Sequence, residues 1–92
     1  MDGESDPRNV DGNAIGGLLG EVFAFEMTTA EAACANCGAV AAIGALPVYA
    51  SAIGTVVRCG ACGAALIRIA RIRERHWLDL RGLQSLRVAA AV

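Results

Sequence analysis

The stretch CANCG, residues 34–38, returns as CGACG at residues 59–63, and the two copies hold all four cysteines of the 92-residue chain. Three chemistries use paired cysteines: redox exchange, disulfide staples and a metal site. Cys34, Cys37, Cys59 and Cys62 are spaced C-x2-C-x21-C-x2-C. A two-residue gap lets one tight turn aim both thiolates at a single ion. The 21-residue link has room for strand, turn and strand, which brings the second pair back to the first. Four thiolates around one centre make the closed tetrahedral arrangement of a structural zinc site. Gly38 and Gly63 follow the pairs, and glycine readily takes the backbone conformation that turns N–H groups toward the sulfurs.

The alternatives are weaker on physical grounds. Tetrahedral sulfur also suits iron, but nothing near the cysteines points to electron transfer. A redox pair needs one low-pKa thiol and usually a βαβ setting, whereas strand-like sequence follows both pairs. Two disulfides would require an oxidising compartment. The start, MDGESDPRNVDGN, is acidic and polar and lacks a basic then apolar leader pattern, so a cytoplasmic location is expected. Between Ala32 and Val57 there is no charge, which is long enough to raise a membrane span. The stretch nevertheless carries Asn36, Pro47, Ser51 and several glycines, and a span would part the two cysteine pairs. No membrane association is expected.

The rest of the chain explains why a staple matters. A chain this short buries only about 60–65% of its unfolded surface, and its core supplies roughly 3–5 kcal/mol. Aromatics are few (Phe23, Phe25, Tyr49, Trp77) and the apolar mass is mostly small side chains. A structural zinc ion contributes on the order of 10–16 kcal/mol of apparent binding energy, which becomes folding energy.

Asp11-Gly12-Asn13 reads as a helix start with a side-chain cap. Ile15, Leu18, Leu19, Val22 and Phe23 then place one apolar stripe on about three turns. Glycines at 16, 17 and 20 weaken that helix, so packing on a sheet must hold it. Strand-like segments follow at 28–33, 39–43, 46–49, 54–58, 64–70, 76–81 and 83–88, with Pro47 read as an edge proline and 71–75 as a charged turn. The expectation is an α+β zinc ribbon: a small antiparallel sheet with two knuckles and an N-terminal helix packed on it. Residues 1–10 read as a flexible acidic tail, 11–88 as the single domain and 89–92 as a second tail.

Charge is divided. Residues 1–57 carry seven acids and one base, and residues 58–92 carry seven arginines and two acids. The two halves can attract each other within one fold, or the basic half can meet an acidic partner. Trp77, Asp79 and Arg81 alternate along one strand and share a face, leaving Leu78 and Leu80 for the core. With Arg68 and Arg71 nearby they form the candidate binding patch, since Trp and Arg anchor interfaces and an aromatic among arginines can stack bases. The bland alternative packs Trp77 on the helix and pairs Asp79 with Arg81 locally. No Ser–His–Asp set, phosphate loop or paired-carboxylate site is present, and His76 is the sole histidine. The expected function is therefore non-enzymatic: a structural-zinc module for protein–protein interaction. A nucleic-acid-binding ribbon and a rubredoxin-like electron-transfer accessory of an oxidoreductase, with iron in the same thiolates, are the alternatives.

DGNAIGGLLGEVF at 11–23, the two knuckles, VYASAIGTVVRCGACG at 48–63 and LIRIARIRERHWLDLRGLQSLRV at 66–88 resemble a family of small zinc-ribbon proteins of unknown function from high-GC actinobacteria. The resemblance spans about four-fifths of the chain. It implies the ribbon fold and zinc, and assigns no activity. Ala35 and Gly60 stand where such knuckles often carry proline.

Overall fold

The computed structural model describes residues 10–23 and 26–89. The expected tails at 1–10 and 89–92 fall almost wholly outside these residues, as does Phe25.

Asp11 caps the N-terminal helix as its sequence position suggests: its Oδ1 accepts from the Asn13 N–H at 3.1 Å. A 3-10 turn, Gly12–Ile15, runs straight into helix α1, Gly16–Val22. Ile15 and Leu19 from this segment are buried, so the predicted stripe is the packed face.

Among the described residues, eight strands form two antiparallel sheets where one small sheet was expected. The five-stranded sheet has the order β1 (Val10–Asp11), β4 (Pro47–Ala50), β5 (Thr55–Arg58), β6 (Ala65–Ile72), β7 (Arg75–Asp79). The three-stranded sheet has the order β3 (Val40–Ala42), β2 (Glu31–Cys34), β8 (Leu83–Arg87). The chain leaves β7 through the turn at Arg81-Gly82 and changes sheet, so that β8 pairs with β2 instead of extending the β6–β7 hairpin. Pro47 is not on an edge strand. It is the first residue of β4, opposite Asp11, a strand start being another place where the missing N–H is tolerated.

Register fixes the faces. Val48 pairs Val57, Val57 pairs Ile67, and Thr55 pairs Ile69, which pairs Leu78. This row faces inward, and Val48, Val57, Ile67 and Ile69 join Leu19, Met27, Ala30, Ala32, Ile43 and Leu46 in one core with Cys34 and Cys59. The alternate row is Tyr49, Val56, Arg68 and Asp79, with Trp77 beside it, and it faces outward. The uncharged stretch 32–57 is thus two short strands of each sheet and their turns, and no helix among the described residues is long and apolar enough to cross a membrane.

Candidate metal centre

Each cysteine pair sits on the same local construction. In the first, Cys34 N donates to Ala39 O at 2.9 Å and Gly38 N to Cys34 O at 2.9 Å. In the second, Cys59 N donates to Ala64 O at 2.8 Å and Gly63 N to Cys59 O at 2.9 Å. The glycines close these turns at φ +81° (Gly38) and +80° (Gly63), where side chains other than glycine are strained. The ladder register shifts between Ala33 and Cys34, and again between Val57 and Arg58 just ahead of Cys59. Such irregularities re-aim side chains at the end of a pairing. Here each turns the chain out of its sheet into the knuckle.

The four Sγ atoms converge within 4.8 Å of one another. Cys34 and Cys62 lie 3.7 Å apart, and Cys37 and Cys59 lie 3.6 Å apart. A tetrahedron with arms of about 2.3 Å has edges of about 3.8 Å, so these spacings fit a single ion bound by four sulfurs. They are far too long for sulfur–sulfur bonds. Cys34 and Cys59 are buried, while Cys37 and Cys62 are exposed. One thiolate of each pair is therefore rooted in the core and the other closes the site from the solvent side.

Backbone donors serve the sulfurs as the glycine-closed turns imply. Asn36 N reaches Cys34 Sγ at 3.4 Å and Ala61 N reaches Cys59 Sγ at 3.3 Å. A side chain adds a link between the knuckles, because Asn36 Nδ2 donates to Cys62 Sγ at 3.5 Å. That bond, followed by the Ala64 N–H, lowers the Cys62 thiol to about 6. The Cys62 and Ala61 N–H groups lower Cys59 as well. At Cys37 the Ala39 N–H works in the same direction, but the Cys59 sulfur, loss of solvation and then the Cys62 and Cys34 sulfurs outweigh it and push the thiol up to about 12. Four thiolates repel one another, and a divalent cation is the natural counter-charge.

Neighbouring elements lock the site. Arg58 donates from NH1 to Gly63 O at 2.9 Å while its guanidinium lies 5.1 Å from the Tyr49 ring centroid. Ala35 N donates to Gly82 O at 2.9 Å, tying the first knuckle to the turn between β7 and β8. A Cβ at Gly82 would lie 1.9 Å from Ala65 O and 2.6 Å from Leu66 Cα, so only glycine lets that turn sit against the start of β6. Asn36, Arg58, Tyr49 and Gly82 went unassigned in the sequence reading. Adjacency to a cysteine was the available signal for Asn36 and Arg58, and Tyr49 and Gly82 had none.

The second candidate site is only partly assembled. Trp77 is 49% exposed on the outer face, opposite to the face from which His76 approaches Glu21 of α1. Asp79 and Arg68 are neighbours on that face. Arg81 lies past the end of β7, in the turn, and reaches back to Asp79 with Nε to Oδ1 at 3.0 Å and NH2 to Oδ2 at 2.7 Å. This pair, with Arg68 further off, holds the Asp79 carboxyl well below the usual carboxylate range. Arg71 is opposite His76, on the other face of the sheet. His76 is half-buried there, with Nε2 3.8 Å from Glu21 of α1. Leu78 does face inward, but at the rim, and is 37% exposed; Leu80 lies beyond the strand and is exposed. Among the described residues, no strand lies beyond β7 to cover these two leucines.

The chain belongs to a family of unknown function, DUF6510, whose model matches residues 5–91. No curated protein and no solved structure matches it. The fold is α+β and zinc-ribbon-like, with a cysteine quartet that could hold one metal ion.

Proposed function

We propose that the chain is a non-enzymatic binding module whose fold is stapled by one zinc ion on Cys34, Cys37, Cys59 and Cys62, and which meets a protein partner through the surface around Trp77. The convergence of four sulfurs at tetrahedral spacing carries the zinc reading. Zinc there supplies structural cross-linking, and four protein ligands leave it no open position for chemistry. Exposed Trp77, with Arg68 and the Asp79–Arg81 pair around it, supports the interaction role. Arg71 belongs to the opposite face and drops out of this patch. Cytoplasmic residence, where thiols stay reduced, and an actinobacterial source are part of the same proposal.

One observation favours a second reading. Tyr49 stacked by Arg58, together with Arg68 and Trp77, gives one sheet face two aromatic rings and two arginines. That combination suits single-stranded nucleic acid. Iron in the quartet, with an electron-transfer role, is a third.

Metal analysis of the purified protein, run alongside chelator-driven unfolding, tests the staple. One zinc per chain, lost together with the fold, is expected. Iron with a red colour would replace it with the third reading, and absence of metal would overturn it. Binding that weakens steeply with salt would favour nucleic acid over protein.

A further inference from the structure

The β7 strand ends the five-stranded sheet, so one edge of Arg75–Asp79 has no ladder partner among the described residues. It is apolar on both sides. Trp77 on the outer face is 49% exposed, Leu78 on the inner face 37%, and Ile72 on the adjoining strand 59%. Folded proteins usually protect such edges or use them for pairing. An edge of this kind calls for another strand, and the strand's own sequence says which.

We propose that β7 pairs with β7 of a second copy of this chain, antiparallel about a two-fold axis at Trp77. This inference deepens the interaction reading, and rests on it, by naming the partner for that surface. In this register Trp77 faces its own symmetry mate. Arg75 faces Asp79 of the second copy, and Asp79 faces its Arg75. All three residues are on the outer face, so Arg75 of one copy meets the Asp79 carboxylate of the other, which already accepts from its own Arg81 and shares its remaining acceptor positions with the incoming guanidinium, and two such charged groups flank an aromatic pair. The sequence Arg75-His76-Trp77-Leu78-Asp79 is thus self-complementary when read against itself. Beyond it the same register would set Arg73 against Arg81, a like-charge opposition that ends the ladder where the strand ends.

The backbone phase agrees. Ile72 and Arg75 flank a two-residue turn, Arg73-Glu74, with Arg73 at φ 60°. Such a turn makes the flanking residues a hydrogen-bonded pair. Bonded pairs alternate along an antiparallel ladder, so Arg75, Trp77 and Asp79 bond to β6 while His76 and Leu78 present N–H and C=O outward. Centring the two-fold on Trp77 sets His76 of each copy against Leu78 of the other, and those outward groups satisfy one another. The Trp77 pair is then of the non-hydrogen-bonded kind, in which side chains come closest. The product is an isologous dimer with one continuous ten-stranded sheet.

Sedimentation equilibrium of the metal-loaded full chain, over a micromolar to millimolar series, tests this. A monomer–dimer equilibrium is expected, with a blue shift of the single tryptophan's emission as dimer forms. Leu78→Pro removes an outward N–H and leaves the β6 ladder intact, and should leave only monomer. Arg75→Asp should raise the dissociation constant about tenfold. Mixing Arg75→Asp with Asp79→Arg should restore association, because only the mixed pair is complementary. Circular dichroism and metal content verify that each variant is folded. A monomer throughout the series, or a dimer unmoved by these changes, overturns the proposal. So does an edge whose amides are protected only when some other chain is added. Each of these results keeps the metal and the fold, and so is distinct from failure of the zinc-staple reading, which would appear as a protein without metal.

Discussion

Asn36 belongs to the first cysteine knuckle, yet its side-chain amide donates to the sulfur of Cys62 in the second, at 3.5 Å. Among the described residues it is the one side chain other than a cysteine that bonds a sulfur of the other pair, and it does so at an exposed cysteine. Outer donors of this kind orient a ligand and stabilise its thiolate form.

Asn36→Ala should therefore lower zinc affinity by about tenfold, within the range seen for lost outer-shell partners. Competition against a coloured chelator reads this directly. An unchanged affinity would mean that the backbone donors alone set the site.

Chelation should unfold the protein. A structural zinc ion on the quartet would be worth on the order of 10 kcal/mol of folding energy, against at most roughly 3–5 kcal/mol from a core this size. Metal loss and loss of far-ultraviolet dichroism should coincide. Cys34→Ser, at a buried ligand, should prevent stoichiometric loading.

Metal retention should fall with acid. Cys37 sits at about 12 and must give up its proton when the ion binds. Affinity should then drop at least about tenfold per pH unit as pH falls through neutrality, and more steeply for every further ligand thiol that releases a proton on binding. Below about 6, Cys62 also takes a proton and the dependence steepens. The stability conferred by the ion is thus present at higher pH and lost as pH falls. A zinc-sensitive dye followed along a pH titration reads the release.

Gly17→Ala and Gly20→Ala should stabilise. An added Cβ at either position meets nothing within 4 Å, and each glycine weakens the helix by about 1 kcal/mol relative to alanine. A rise in melting temperature for each, with metal content unchanged, is the expected result.

Gly82→Ala should do the opposite. Its Cβ would collide with Ala65 O and Leu66 Cα, forcing the β7–β8 turn away from Ala35 and the first knuckle. Loss of stability of about 2 kcal/mol or more is expected, together with weaker zinc binding. Thermal unfolding of the zinc-loaded variant measures it.

The cysteine quartet was legible because its signal is local and repeated: the same five-residue turn, closed by glycine, occurs twice. The helix was legible from the Asp11 cap and the spacing of Ile15 and Leu19. The strands from β2 onward came through within a few residues, since turns at Gly38, Gly54 and Gly63 punctuate them, whereas β1, Val10–Asp11, falls where a tail and a helix start were read. Pairing did not. Nothing within Leu83–Arg87 says that it will cross to β2, because that choice is made by residues some fifty positions earlier, and one sheet was expected where there are two. The same distance problem displaced the leucines: alternation places Leu78 on the inner face but cannot say that β7 is the last strand. Arg81 was assigned to a strand that the Arg81-Gly82 turn ends. Asn36 and Arg58 required three-dimensional contacts to acquire a role.

The crossing of β8 onto β2 also sets an order of events during synthesis. Cys62, the last ligand, leaves the ribosome well before Leu83, so a metal ion can close both knuckles on a nascent chain. At that moment one side of β2 is bare. β8 arrives afterwards as a bolt slid against a door already hung on its hinge. A product cut short after Gly82 would keep the complete ligand set and still carry an open, adhesive edge beside its first knuckle.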